Sequence, residues 1–188
     1  MSHSETDRYR EAERFRKIDA AFRQGDLEAL REAAEDPDSI PNGPMPLTIG
    51  TCLEYAIYHS PLAFIRTLLE LGAEPNREDP AGFPSLIAAL SCHQAAPGAR
   101  VRTDVGEIVA LLLSFGADPD QRGINDYTAL HMAAAVNHPE AVRLLLEAGA
   151  NPNLRTRIDD YETPRELAET AQRKDIAAML ASAESSLS

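Results

Sequence analysis

Lysine occurs only twice, at Lys17 and Lys174, and cysteine only twice, at Cys52 and Cys92. No apolar run reaches the roughly eighteen residues that a bilayer-spanning helix needs. The amino-terminal stretch MSHSETDRYREAERFRK is charged throughout and has no apolar core of the kind a secretory signal carries. Two cysteines without framework spacing are expected to be reduced thiols, and the default expectation is a cytoplasmic chain without a membrane partner. Catalytic signatures are missing as well: no glycine-rich phosphate loop, no G-x-S-x-G, no H-E-x-x-H and no C-x-x-C. No cofactor, no metal and no catalytic residue is therefore expected. Cationic excess is also lacking. A net charge of −12 opposes attraction to nucleic acid or anionic lipid, since both require a basic face.

What the chain has is repetition. Three segments share one form: LLELGAEPN (Leu68 to Asn76), LLSFGADPD (Leu112 to Asp120) and LLEAGANPN (Leu145 to Asn153). Their glycines, Gly72, Gly116 and Gly149, are 44 and 33 residues apart. A period in the thirties marks an array in which each copy buries its apolar face only against its neighbours. In the copy from Thr128, Leu130, Ala133 and Ala134 fall at helical spacing, and so do Val142, Leu145 and Leu146. Thr128 can cap the first helix, and Gly149 follows the second where a left-handed residue is wanted. Each copy reads as helix, turn, antiparallel helix and protruding loop.

The T-x-L-H-x-A opening and GADPN-like close resemble the ankyrin repeat. Thr128, Leu130, His131, Ala133, Ala134, His138, Val142, Leu144, Leu145, Gly149, Ala150 and Asn153 carry that pattern. The resemblance implies an all-α helix-turn-helix solenoid of about five repeats. The expected division is a tail with a degenerate capping repeat over residues 1–36, in which Ala21 and Gly25 hold the places of Ala133 and Asn137. A Pro-rich connector over 37–50 without regular structure follows, then repeats over 51–83, 84–127, 128–162 and 163–182, the last a C-terminal cap. Residues 183–188 are expected to be a disordered tail. The resemblance also makes His131 and His138 structural: the first bonds the capping threonine and a nearby loop, the second serves the inter-helix turn.

Departures from the period are where specificity would lie. The second repeat carries eleven extra residues between its helices, near 93–103, where Arg100 and Arg102 make an acidic chain locally basic. This segment reads as a recognition loop for an acidic partner or as a surface insertion that costs little. Arg155 and Arg157 beside Asp159 and Asp160 read as a solvated charge cluster. His59 and Cys92 hold equivalent places on successive first helices. Stacked helices keep such positions on the order of 10 Å apart, too far for a Cys–His pair, and two ligands do not make a zinc site.

Family resemblance implies that loop tips and the inner faces of first helices bind partners. By register the tips include Phe83, Ile124, Asn125 and Tyr127, and the inner positions include Tyr58, His59, Cys92, Ala135 and Val136. The expected partner-binding residues are Tyr58, His59, Phe83, Arg100, Arg102, Tyr127 and Val136, with the aromatics as anchors. The expected function is a non-catalytic, monomeric module binding a protein of unknown identity, as an adaptor or an inhibitor or immunity-type protein. The alternative is a structural subunit that pairs with itself.

Overall fold

The computed structural model describes residues 5–43, 50–77, 83–92, 102–157 and 161–186. Among them the chain is all-α, with ten helices: α1 Glu5–Gln24, α2 Leu27–Ala33, α3 Cys52–His59, α4 Leu62–Glu70, α5 Ser85–Ser91, α6 Val105–Ser114, α7 Ala129–Ala135, α8 Pro139–Glu147, α9 Pro164–Thr170 and α10 Lys174–Ser186. Single 3₁₀ turns sit at Pro37–Ser39 and Ile124–Asp126. The described residues divide into two compact units, the first holding α1 to α4, the second holding α5 to α10 and the turn at Pro75 and Asn76.

In the first unit α1 packs on α2 and α3, and α3 packs on α4. Its core is aromatic: Phe22, fully buried, meets the rings of Tyr55 and Phe64 edge-on, with centroids 4.9 and 5.8 Å away. The second unit is built in two layers. First helices α5, α7 and α9 pack in sequence along one layer, and second helices α6, α8 and α10 along the other. Alanines make the close approach possible, since Ala88, Ala89, Ala133, Ala134 and Ala168 are wholly buried. Ile108, Leu112, Leu130, Val142 and Leu145 fill the space between layers. A buried leucine of this kind contributes about 1.5–3 kcal/mol of transfer free energy.

The helix ends follow from named residues. Thr51 and Thr163 accept the backbone N–H groups of Glu54 and Glu166 at 3.1 and 3.2 Å. Glu166 returns the bond by accepting from the Thr163 N–H at 2.8 Å, closing a capping box. Gly72, Gly116 and Gly149 end the second helices with φ of 92, 83 and 90°. The residue after each glycine donates back into its helix, as Ala150 N–H does to the Leu145 carbonyl at 3.0 Å. The inter-helix corner has its own left-handed residue, Gly25 at 71°, Asn137 at 58° and Gln172 at 59°, so Gly25 does take the place of Asn137 in the opening copy.

Two expectations need correction. The connector over 37–50 was expected to lack regular structure, yet Pro37–Ser39 forms a 3₁₀ turn, with the Asp38 N–H bonded to the Asp36 carboxylate at 3.2 Å. The connector also supplies a latch. Asn42 Nδ2 donates to the Gly72 carbonyl at 2.8 Å, and Asn42 Oδ1 accepts the Glu74 N–H at 3.1 Å. In the second unit Asn76 bonds the Gly116 carbonyl at 2.8 Å and the Asp118 N–H at 2.7 Å in the same way. The tail was expected to be disordered from residue 183, but α10 continues to Ser186. Glu184 is held by Arg165 at 3.1 Å, which ties the last turn to α9.

The latch residue has a direct test. Asn76→Ala removes two side-chain bonds and is expected to cost about 1–2 kcal/mol in urea unfolding of the full chain. Asn153→Ala, an exposed position in the same register, is expected to change stability by less than about 0.5 kcal/mol. Equal losses at both positions would disprove the assignment.

Candidate interaction surface

Tyr58 and His59 sit at the end of α3 in the first unit, and both are half-buried. His59 packs against Tyr55 with ring centroids 4.4 Å apart. Tyr55 donates its hydroxyl to Asp19 at 2.6 Å, and Arg23 holds the same carboxylate at 2.9 Å through both oxygens. Burial works against the Asp19 charge, but the bonds from Arg23 and Tyr55 prevail and keep its pKa below the ordinary value. Burial and the nearby Arg23 lower the pKa of His59, whose Nδ1 has no hydrogen-bond partner among the described residues. His59 is thus a neutral ring supporting the seat of α1 on α3.

The second unit holds Phe83, Arg102, Tyr127 and Val136. Phe83 is 41% exposed, just ahead of α5. Tyr127 is half-buried, its ring 5.5 Å from that of His131, and Val136 is half-buried at the end of α7. Arg100 lies outside the described residues. Arg102 does not serve as expected: its side chain is only 1% exposed and grips Asp104 through Nε at 2.9 Å and Nη2 at 2.7 Å. A buried guanidinium needs such a partner to offset its lost hydration, so the charge faces inward. Cys92 is buried too, not part of an inner contact face, and burial pushes its thiol up to about 11. A thiol so protonated is a poor nucleophile. His59 and Cys92 fall in different units.

His131 is fully buried and occupied at both nitrogens. The Thr128 N–H donates to Nδ1 at 3.2 Å, so Nδ1 is the acceptor and the ring proton is on Nε2. Thr128 Oγ1 lies 2.9 Å from the same Nδ1, and Nε2 donates to the Glu162 carbonyl at 3.1 Å. That joins α7 to the loop before α9. Burial lowers the His131 pKa and outweighs the opposing effect of the Glu162 carbonyl. His138 caps α8 by accepting the Ala141 N–H at 3.1 Å.

The loops carry what the sequence reading undervalued. Arg155 and Arg157 were expected to form a solvated cluster with Asp159 and Asp160, which lie outside the described residues. Instead Arg157 makes a two-pronged bond to Asp126 at 2.8 Å, and Arg155 makes one to Glu166 at 2.8 and 2.9 Å. Asp126 precedes Arg157 by 31 residues, close to one period, and Glu166 belongs to a capping box. Among the described residues of the second unit, Ile124 and Tyr161 are the most exposed large apolar side chains, at 65% and 59%. Among the described residues no group of three or more His, Cys, Asp or Glu is placed to hold a metal ion.

Residues 92–187 match a family model described as ankyrin repeats, in three copies. The chain belongs to the ankyrin repeat family. It is similar to the E3 ubiquitin-protein ligase KEG of Arabidopsis thaliana, 34% identical over 95 residues that make up 50% of this chain and 6% of that protein. Protein fem-1 homolog A of Bos taurus is 47% identical over 75 residues, 37% of this chain and 11% of its own length. Neurogenic locus notch homolog protein 4 of Homo sapiens is 35% identical over 104 residues, 54% of this chain and 5% of its own. This ankyrin repeat protein thus spans a small part of each relative. Ankyrin repeats generally mediate protein–protein contacts and are typically non-catalytic. No helix of the described residues is long and apolar enough to cross a membrane.

Two predictions follow from the buried groups. Arg102→Ala leaves the partly exposed Asp104 without its guanidinium and is expected to destabilise the chain by about 1–3 kcal/mol in chemical unfolding; no measurable loss would contradict the pair. For pH, the folded pKa of His131 is below its ordinary value of 6.5, so the unfolded chain binds the proton first as pH falls. Stability contributed by the neutral ring is whole above about 6.5, declines below it, and levels off once the folded pKa is passed. The urea midpoint should therefore drop between pH 7.5 and 5.5, and the His131 ring proton resonance should titrate below 6.5. A titration at or above 6.5 would reverse the sign.

Proposed function

We propose that this ankyrin repeat chain is a non-catalytic module that binds a protein partner, acting as an adaptor or an inhibitor in the cytoplasm. Supporting this reading is one observation above all: large apolar side chains stand exposed just ahead of α5 and in the loops ahead of α7 and α9, the latter two held by the Arg157–Asp126 and Arg155–Glu166 ion pairs. Exposing Phe83, Ile124 and Tyr161 to water gives the fold nothing, whereas a partner would gain apolar area from them. A preordered surface loses little entropy on association. Tyr58 and His59 of the first unit and Phe83, Tyr127 and Val136 of the second are the proposed contact residues. Arg102 is withdrawn from that set, because its charge is committed to Asp104. The acidic balance of −12 argues against nucleic acid as the partner. The chain is proposed to act as a monomer.

The test is capture from native cytosol by the full chain, with bound proteins identified and compared between wild type, Tyr58→Ala with Tyr127→Ala, and deletion of residues 94 to 100, which spares the buried Arg102. A partner retained by wild type and lost with the tyrosines is the expected result. Capture unchanged in both variants would rule out this choice of surface. Light scattering that finds a concentration-independent dimer would favour a self-pairing subunit instead.

A further inference from the structure

Asparagine followed by glycine is a reactive pair, and Asn42–Gly43 is the one place where this chain has it. The Gly43 amide nitrogen can attack Cγ of Asn42, because glycine carries no Cβ to obstruct closure of the ring. In that step the N–Cγ bond forms, the Gly43 N–H proton passes to solvent base, and the Cγ–Nδ2 bond breaks as ammonia departs. Water then opens the cyclic imide. Cleavage between the nitrogen and Cγ leaves aspartate. Cleavage between the nitrogen and the backbone carbonyl carbon leaves isoaspartate, with the chain rerouted through the side chain. Only water is consumed, and nothing is oxidised.

The fold calls for both halves of this pair. Asn42 donates from Nδ2 to the Gly72 carbonyl at 2.8 Å and accepts the Glu74 N–H at 3.1 Å, which takes a donor and an acceptor on one short side chain. Gly43 is required by space: a Cβ there would come 2.5 Å from Ser39 Cβ. Ser39 in turn is held by its hydroxyl, which donates to the Asp36 carbonyl at 2.7 Å. The same contacts oppose the reaction. Bonded at both ends, the carboxamide is not free to turn toward the backbone. The Gly43 N–H is donated to the Ser39 carbonyl instead of to a base. Asn76 makes the equivalent two bonds in the second unit, to the Gly116 carbonyl and from the Asp118 N–H, but Arg77 follows it. A side chain at that place hinders ring closure, so Asn76 has the latch without the lability.

We propose that Asn42 is a site of spontaneous deamidation held off by its own latch, so that each opening of the latch exposes it to irreversible conversion. The aspartate product keeps the acceptor for the Glu74 N–H and loses the donor to the Gly72 carbonyl. It then resembles Asp120, which accepts the Asn151 N–H and has no proton to give. The isoaspartate product lengthens the backbone by a methylene and loses register with both partners. Conversion is a one-way loosening of the connector's hold on the turn after α4, at a rate set by how often that hold lets go. It proceeds whether or not a partner is bound elsewhere.

The full chain is incubated in mildly alkaline buffer, folded and in parallel in denaturing urea, and conversion at each asparagine is followed by peptide mapping and mass spectrometry. In urea Asn42 should convert well ahead of Asn76. Folding should slow Asn42 roughly tenfold or more, the population ratio that two hydrogen bonds impose. Glu74→Pro removes the N–H that Asn42 accepts and leaves the Asn42–Gly43 sequence untouched. With its folding checked by circular dichroism, this variant should convert about threefold or more faster than folded wild type. Asn42→Asp, which makes the product directly, should lower the urea midpoint. Absence of conversion in urea would overturn the site, and so would Asn76 keeping pace with Asn42. Equal rates for folded and unfolded wild type, or a folded Glu74→Pro chain converting at the wild-type rate, would overturn protection by the latch. An unchanged midpoint for Asn42→Asp would overturn the loosening.

Discussion

A single polar side chain, a carboxamide at two loops and a carboxylate at a third, ties neighbouring turns together in this protein. A planar amide has a donor and an acceptor on the same end of a short side chain, so it can bond both a carbonyl and an N–H of the loop that follows. Asn42 does this for the turn at Gly72 and Asn76 for the turn at Gly116. At the next loop the residue is Asp120, whose carboxylate accepts the Asn151 N–H at 2.9 Å. An ionised carboxylate has no proton to give, so one of the two bonds is not available there. The buried alanines and leucines supply the cohesion between helices, but these polar bonds set which turn meets which.

The same division of labour separates what could be read in the sequence from what could not. Helix spacing, Gly72, Gly116, Gly149 and the T-x-L-H-x-A opening each encode a local requirement, and each local requirement appears in the structure. His131 was legible for the same reason, since its partner Thr128 is three residues away. Asn42 was missed because four prolines around it made the segment look like mere spacing. Arg102 was misjudged because sequence shows a charge but not its exposure; only the fold brings Asp104 against it and buries the pair. Arg155 and Arg157 were assigned to their sequence neighbours, whereas their partners are Glu166 on α9 and Asp126 in the preceding loop. Pairing across loops is a property of the period combined with the turn geometry, and the two extra residues before the last copy obscured it.

Membership in the repeat family constrains function without naming it. KEG, fem-1 homolog A and notch homolog 4 differ in what their names say they do, and each matches this chain over a small share of its length. What they have in common is a segment similar to this chain. Function in such a protein resides in side chains that the fold does not need for itself. In the second unit the exposed side chains of Phe83, Ile124 and Tyr161 fit that description, and in the first unit Tyr58 is proposed for the same role.

His131 illustrates the opposite case. Imidazole is the side chain that most readily exchanges protons and ligates divalent ions near neutrality. Here one nitrogen is bonded by Thr128 and the other bonds the Glu162 carbonyl, with no solvent exposure left. While the fold stands, the ring is closed to copper, nickel and zinc alike. A residue type usually read as reactive serves here to join a helix to the loop beyond it.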